Sequence, residues 1–176
     1  MHTTSVKRFA FAGFLALALL AGACTSDPTP QGNQETPVEA ELAPLFSVPT
    51  ASGDGFSLAE HQSTDGRPVF LNLWASWCFP CREEMPAIND ASETFSDIKF
   101  VGVAIQDNRT DAEAFAQEID VTYTIGFDTD NAVNADYAPL GLPASYIISS
   151  DGVILERIFG KVTEEDLTEK FAKYFG

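Results

Sequence analysis

The sequence predicts an α/β sandwich built around one mixed β-sheet, on two observations. Strand and helix signatures alternate through the middle of the chain, and a hairpin followed by a last helix closes it. The ordered part, about 135 residues, is an ordinary size for a single domain with its own core. No internal repeat is visible.

The central strand is Pro68–Trp74, whose apolar, β-branched and aromatic content suits burial on both faces. Arg82–Phe95 follows as a helix, with Met85, Ile88 and Phe95 as its apolar positions. Phe100–Ile105 reads as the next buried strand, and Asp111–Ile119 as a helix capped by Thr110 or Asp111. Ala144–Ile148 and Val153–Ile158 form a strand pair around the Ser150-Asp151-Gly152 turn. Thr163–Phe175 is the closing helix, opened by a Thr-x-x-Asp capping signal. His61, in the segment before the central strand, reads as a surface residue.

Between the central strand and its helix stands Trp74-Ala75-Ser76-Trp77-Cys78-Phe79-Pro80-Cys81. Two cysteines at i and i+3 on a strand-to-helix corner bring both sulfurs to one face, where they can close a small disulfide ring. The free N–H groups and the dipole of a helix N-terminus favour negative charge, so the outer thiolate, Cys78, is the expected nucleophile. Cys81, one turn deeper, then attacks Cys78 and releases the partner as a dithiol. Pro80 costs no helical hydrogen bond in a first turn.

Two other readings compete. A zinc site requires three or four protein ligands, and beyond this pair the chain has only Cys24, His2 and His61. An inert disulfide closing so short a loop would stabilise little. Redox exchange is the stronger reading.

The segment from Trp74 to Pro86 resembles the active-site motif of the extracytoplasmic thioredoxin-like thiol-disulfide oxidoreductases, the TlpA, ResA and DsbE group. That group has a W-x-x-W-C-x-P-C core, a glutamate three residues after the second cysteine and then a helix-kinking proline. Glu84 and Pro86 fill those places. The likeness covers residues 42–176. It implies a thioredoxin-like fold: a central mixed sheet flanked by helices, an N-terminal hairpin over Leu45–Leu58 turning at Gly53-Asp54-Gly55, and a central insertion reaching Tyr137.

The resemblance also assigns roles. In Gly141-Leu142-Pro143 the proline is expected to be cis and to lie opposite the dithiol, leaving Leu142 to pair its backbone with an extended substrate segment. The group commonly has threonine after this proline, where this chain has Ala144, which puts substrate preference in question more than activity. Asn72 stands where ordinary thioredoxin has a buried aspartate, and asparagine cannot titrate. Glu84, one turn beyond Cys81 on the same helical face, is the candidate proton acceptor, with a pKa raised by its apolar corner. Trp74 is read as core, while Trp77 and Phe79 flank Cys78 and would dock a partner loop.

Partners follow from the same likeness. They are thiols or disulfides of exported proteins, apocytochrome c among them, and a membrane redox protein of the DsbD, CcdA or DsbB/VKOR kind. The resemblance permits either direction of exchange. No cofactor and no metal site are implied.

Lys7 and Arg8 precede an uncharged stretch, Phe9–Ala23, too short for a comfortable membrane span but suited to a signal peptide over residues 1–23. Leu20-Ala21-Gly22-Ala23-Cys24 resembles a bacterial lipobox, so Cys24 is expected to carry lipid, which accounts for the odd third cysteine. Residues 24–41 are then a linker of Ser, Thr, Pro, Gly, Asn, Gln and Glu, spanning roughly 20–25 Å.

The net charge of −16 becomes −18 once Lys7 and Arg8 are removed with residues 1–23, which argues against nucleic acid and against anionic lipid as partners. A copper-binding protein on the same scaffold would need a histidine beside the pair, and His61 is in the wrong segment. A peroxidase of the related peroxiredoxin group would need a Thr-x-x-Cys context, whereas Ala75-Ser76-Trp77 precedes Cys78.

Overall fold

The computed structural model describes residues 40–176; the expected signal segment, Cys24 and nearly all of the linker lie outside them. A short antiparallel hairpin, β1 (Ser47–Val48) and β2 (Phe56–Ser57), leads into helix α1 (Leu58–Thr64). Then come β3 (Val69–Trp74), α2 (Phe79–Thr94), β4 (Lys99–Ala104), α3 (Arg109–Glu118), β5 (Thr124–Phe127) and α4 (Ala132–Tyr137). Strands β6 (Ala144–Ile148) and β7 (Ile154–Phe159) and helix α5 (Glu164–Phe175) complete the chain.

The main sheet has the order β5-β4-β3-β6-β7. β3, β4 and β5 are parallel, while β6 is antiparallel to both β3 and β7. This is the mixed sheet the sequence predicts, and β3 is central to it. Side chains alternate across the sheet. Leu71, Leu73, Val101, Val103, Tyr146 and Ile148 meet Leu58 of α1, Val133 and Tyr137 of α4, and Phe46 beside the hairpin. The opposite face has two apolar clusters. One holds Trp74 and Ala104 against Met85 of α2 and Phe115 of α3. The other holds Phe70, Phe100 and Ile147 against Ile88 of α2 and Phe171 of α5.

Several local expectations are revised. The hairpin does not turn tightly at Asp54-Gly55: residues 49–55 form a wider loop, organised by Thr50, whose Oγ1 accepts from the Gly55 N–H at 3.1 Å. Helix α1 follows at once, capped by Ser57. His61 is not a surface residue; it is buried in α1, with Nε2 2.9 Å from the Arg67 carbonyl oxygen. Helix α3 starts earlier than expected because Asn108 caps it, its side chain accepting from the Thr110 N–H at 2.9 Å. The stretch read as an insertion supplies α4 and also β5, the parallel strand at one edge of the sheet. At the end of the expected linker, the Glu41 carbonyl accepts from the Ile154 N–H at 2.8 Å, and its carboxylate pairs with Arg157.

Among the described residues no helix is long and apolar enough to cross a membrane. Helix α5 opens with the expected device, a capping box in which Thr163 and Asp166 satisfy each other's backbone N–H groups.

Candidate active site

Strand β3 delivers Trp74 and Ala75, both buried, to the edge where the parallel strands end. The chain then turns sharply, with the Cys78 N–H donating to the Ala75 carbonyl at 3.1 Å. Cys78 has extended backbone and is the N-cap of α2, so Phe79, Pro80 and Cys81 form the first helical turn. The two cysteines are joined as a disulfide, with Cα atoms 5.3 Å apart. The Cys81 N–H donates to Cys78 Sγ at 3.3 Å. A backbone donor thus serves the outer sulfur where the sequence calls for a stabilised thiolate. Both cysteines are buried, Cys81 fully.

Around this corner the side chains divide. Trp74 is core, packed on Phe115 with ring centroids 5.6 Å apart. Trp77 and Phe79, by contrast, are 61% and 71% exposed and flank Cys78. Leu140, absent from the sequence reading, is 89% exposed in the loop before Pro143. The Leu142–Pro143 bond is cis, and Leu142 packs against the cluster that contains Cys78 and Cys81. The Pro143 carbonyl accepts from the Gly160 N–H at 3.0 Å, which ties this loop to the end of β7.

Glu84 is only 1% exposed, deeper than an apolar surface corner would suggest. Its Oε1 accepts from Asn72 Nδ2 at 2.8 Å and its Oε2 from the Val162 N–H at 2.9 Å. Asn72 Nδ2 also donates to Ser145 Oγ at 3.0 Å, across the β3–β6 pair. Burial pushes the Glu84 carboxyl up from 4.5 to about 7, against the opposing pull of the Val162 and Asn72 donors. Asn72, which cannot titrate, donates to this carboxyl and so orients it. Ser145 and Val162 were not singled out in the sequence, since one serine in an apolar strand and one backbone N–H carry no local signal. Asn72 Oδ1 is buried without a hydrogen-bond partner among the described residues.

The arrangement supports nucleophilic attack at the outer, less deeply buried sulfur, a protected second sulfur one helical turn inward, and a carboxyl on the same helix that changes charge near neutral pH. Among the described residues no cluster of three or more His, Cys, Asp or Glu side chains could hold a metal ion.

Known proteins resemble this architecture closely. The AhpC/TSA family matches residues 40–157. Thioredoxin-like protein YneN of Bacillus subtilis is 39% identical over 139 residues, covering 75% of this chain and 78% of its own. Thiol:disulfide interchange protein DsbE of Escherichia coli is 31% identical over 170 residues, covering 94% of this chain and 89% of its own. Among solved structures, a secreted Mycobacterium tuberculosis disulfide oxidoreductase homologous to E. coli DsbE superposes with a TM-score of 0.64. It is 25% identical and covers 73% of this chain and 95% of its own.

The raised Glu84 pKa has a stability consequence. The unfolded carboxyl loses its proton first, so folding stability declines as pH rises from about 4.5 to about 7 and is level above that. The loss is on the order of 3 kcal/mol. Urea unfolding of wild type and Glu84→Gln at pH 4.5 and 8 should show the difference between them moving in the variant's favour by about that amount. Parallel pH profiles would refute the raised pKa.

Proposed function

The chain belongs to the AhpC/TSA family and is a thiol-disulfide oxidoreductase of thioredoxin-like fold, and on that premise we propose that it reduces disulfides of exported proteins from a lipid-anchored position outside the cell membrane. The observation that carries the reading is the disulfide-bonded Cys78–Cys81 pair at the N-terminus of α2, with Glu84 buried on the same helix.

In the reductive direction the reduced protein attacks first. The Cys78 thiolate forms a bond to one substrate sulfur as the substrate disulfide breaks, and the other substrate sulfur leaves as a thiolate that takes up a proton. Glu84, as carboxylate, accepts the Cys81 proton. Cys81 Sγ then bonds to Cys78 Sγ, the mixed disulfide breaks, and the second substrate thiol departs. Two electrons have moved to the substrate, and the protein holds the Cys78–Cys81 disulfide. Trp77, Phe79, Leu142 and Pro143 receive the partner segment, Leu142 by strand pairing through its backbone.

A membrane dithiol donor of the DsbD or CcdA kind would restore the reduced pair, and the cysteines of apocytochrome c are the proposed substrate class. The short apolar stretch at Phe9–Ala23, Cys24 at its end and the polar linker support the anchored location. The opposite direction, disulfide formation with an acceptor of the DsbB/VKOR kind, uses the same atoms.

Cys81→Ser should accumulate mixed disulfides with substrate, and Cys78→Ser none; a Cys78→Ser protein that still exchanges would sink the assignment. Glu84→Gln should slow release of the partner by about a hundredfold above pH 7 and flatten its pH dependence. The equilibrium potential of the pair decides direction: a value near about −270 mV supports reduction, and one near about −120 mV overturns it in favour of oxidation. Cys24→Ser should move the protein out of the membrane fraction in its own cell, and its retention there would refute the lipid anchor.

A further inference from the structure

Parallel strands β3 and β4 end side by side, so the loop after β4 lies beside the redox corner, and the Ile105 N–H donates to the Trp74 carbonyl at 3.0 Å. Two residues of that loop grip the corner. Asp107 Oδ2 accepts from the Ser76 N–H at 2.5 Å, and its Oδ1 accepts from Ser76 Oγ at 3.0 Å and from the Asn108 N–H at 2.8 Å. Gln106 has a φ of 50°, a left-handed conformation unfavourable to a residue with a side chain. In that conformation its carbonyl accepts from Trp77 Nε1 at 3.0 Å. Its own amide donates to Asn134 Oδ1 at 2.9 Å, and the Asn134 N–H donates in turn to Asp128 at 2.9 Å. Helix α4 therefore braces the loop that holds the tryptophan.

A brace of this kind needs a purpose, because Trp77 is mostly exposed and contributes little to the core. Its indole N–H is held by one hydrogen bond while most of the residue stays exposed. An aromatic ring already held in its docking orientation loses less freedom when a partner arrives. Exposed Phe79, on the other side of Cys78, and exposed Leu140, on the loop that leads to Pro143, suit a partner with an apolar side chain next to its reacting cysteine.

We propose that Gln106 and Asp107 form a clamp that presents Trp77 as a preformed wall for the partner segment, so that both are positioning residues that set affinity for substrates bearing an apolar residue beside the cysteine. The inference rests on the disulfide-exchange reading and adds to it a recognition element outside the dithiol, Glu84 and the Pro143 loop.

The test uses the full chain in detergent, two disulfide-bonded peptides that differ only in leucine or serine beside the cysteine, a small dithiol as the reductant that restores the Cys78–Cys81 pair after each turnover, and indole N–H exchange by NMR. The protein has two tryptophans, so the indole signals are assigned with one Trp77→Phe control. In Asp107→Ala, exchange of the Trp77 indole should quicken while that of Trp74 does not. KM for the leucine peptide should rise about tenfold with kcat unchanged, and KM for the serine peptide should stay nearly constant. Ser76→Ala, which deletes a single hydrogen bond, should move both readouts in the same direction by about threefold and serves if Asp107→Ala does not fold. Unchanged KM with a loosened indole, or a loss confined to kcat, overturns the clamp alone. A wild-type protein that reduces neither peptide overturns the reductive reading, and the clamp with it.

Discussion

A carboxyl group has been buried on the helix that carries the dithiol, and the rest of the site is organised by the need to satisfy it. Glu84 comes from α2, the helix that carries both cysteines, yet its two oxygens are held by Asn72 of β3 and by the backbone of Val162 ahead of α5. Through Asn72 the same set of bonds reaches Ser145 of β6. A buried carboxyl left without such donors would cost several kcal/mol, so these bonds fix how the redox helix sits on the sheet. They do not remove the cost of ionising it. That residual cost is why the group titrates near neutrality, where a proton acceptor for a thiol is useful.

The redox corner shows the same economy in its backbone. Cys78 ends the loop from the central strand and begins the helix, so one residue serves as cap and as outer sulfur. Because β3 is flanked by β4 and β6, loops from both neighbours converge on it: the Gln106–Asn108 loop on one side and the Leu140–Pro143 loop on the other. Leu140 on the second of these loops and Trp77 and Phe79 on the corner itself stay exposed in an otherwise strongly acidic protein. Such a patch is costly in water unless a partner covers it, which agrees with a protein whose substrate is another chain.

Much of this was legible locally. The i, i+3 cysteines, Pro80 in the first turn and the apolar run of β3 each express a rule that operates over a few residues. The capping box at Thr163 and the strand pair around Asp151-Gly152 are of the same kind. The shorter elements were not legible. Helices α1 and α4 are too short to show a helical period, and β5 has only four residues, Thr124–Phe127. Their existence depends on surfaces they cover or strands they join. His61 was misread for that reason: its burial comes from the hairpin and the Arg67 turn, which a lone histidine in a polar stretch does not announce.

By itself the sequence determined the chemistry, because a strand-to-helix corner with two thiols one turn apart has few other uses, and the glutamate that follows lies on the same helical face. Only the tertiary structure decided the environment of that chemistry. Asn72 and Val162 meet Glu84 across separations of 12 and 78 residues, Ser145 meets Asn72 across 73, and Asp107 meets Ser76 across 31. Periodicity and spacing describe neighbours along the chain, whereas desolvation and hydrogen-bond partners are set by what packs across the sheet. A carboxyl's pKa and an exposed indole's fixed orientation therefore appear only once the strands are in register.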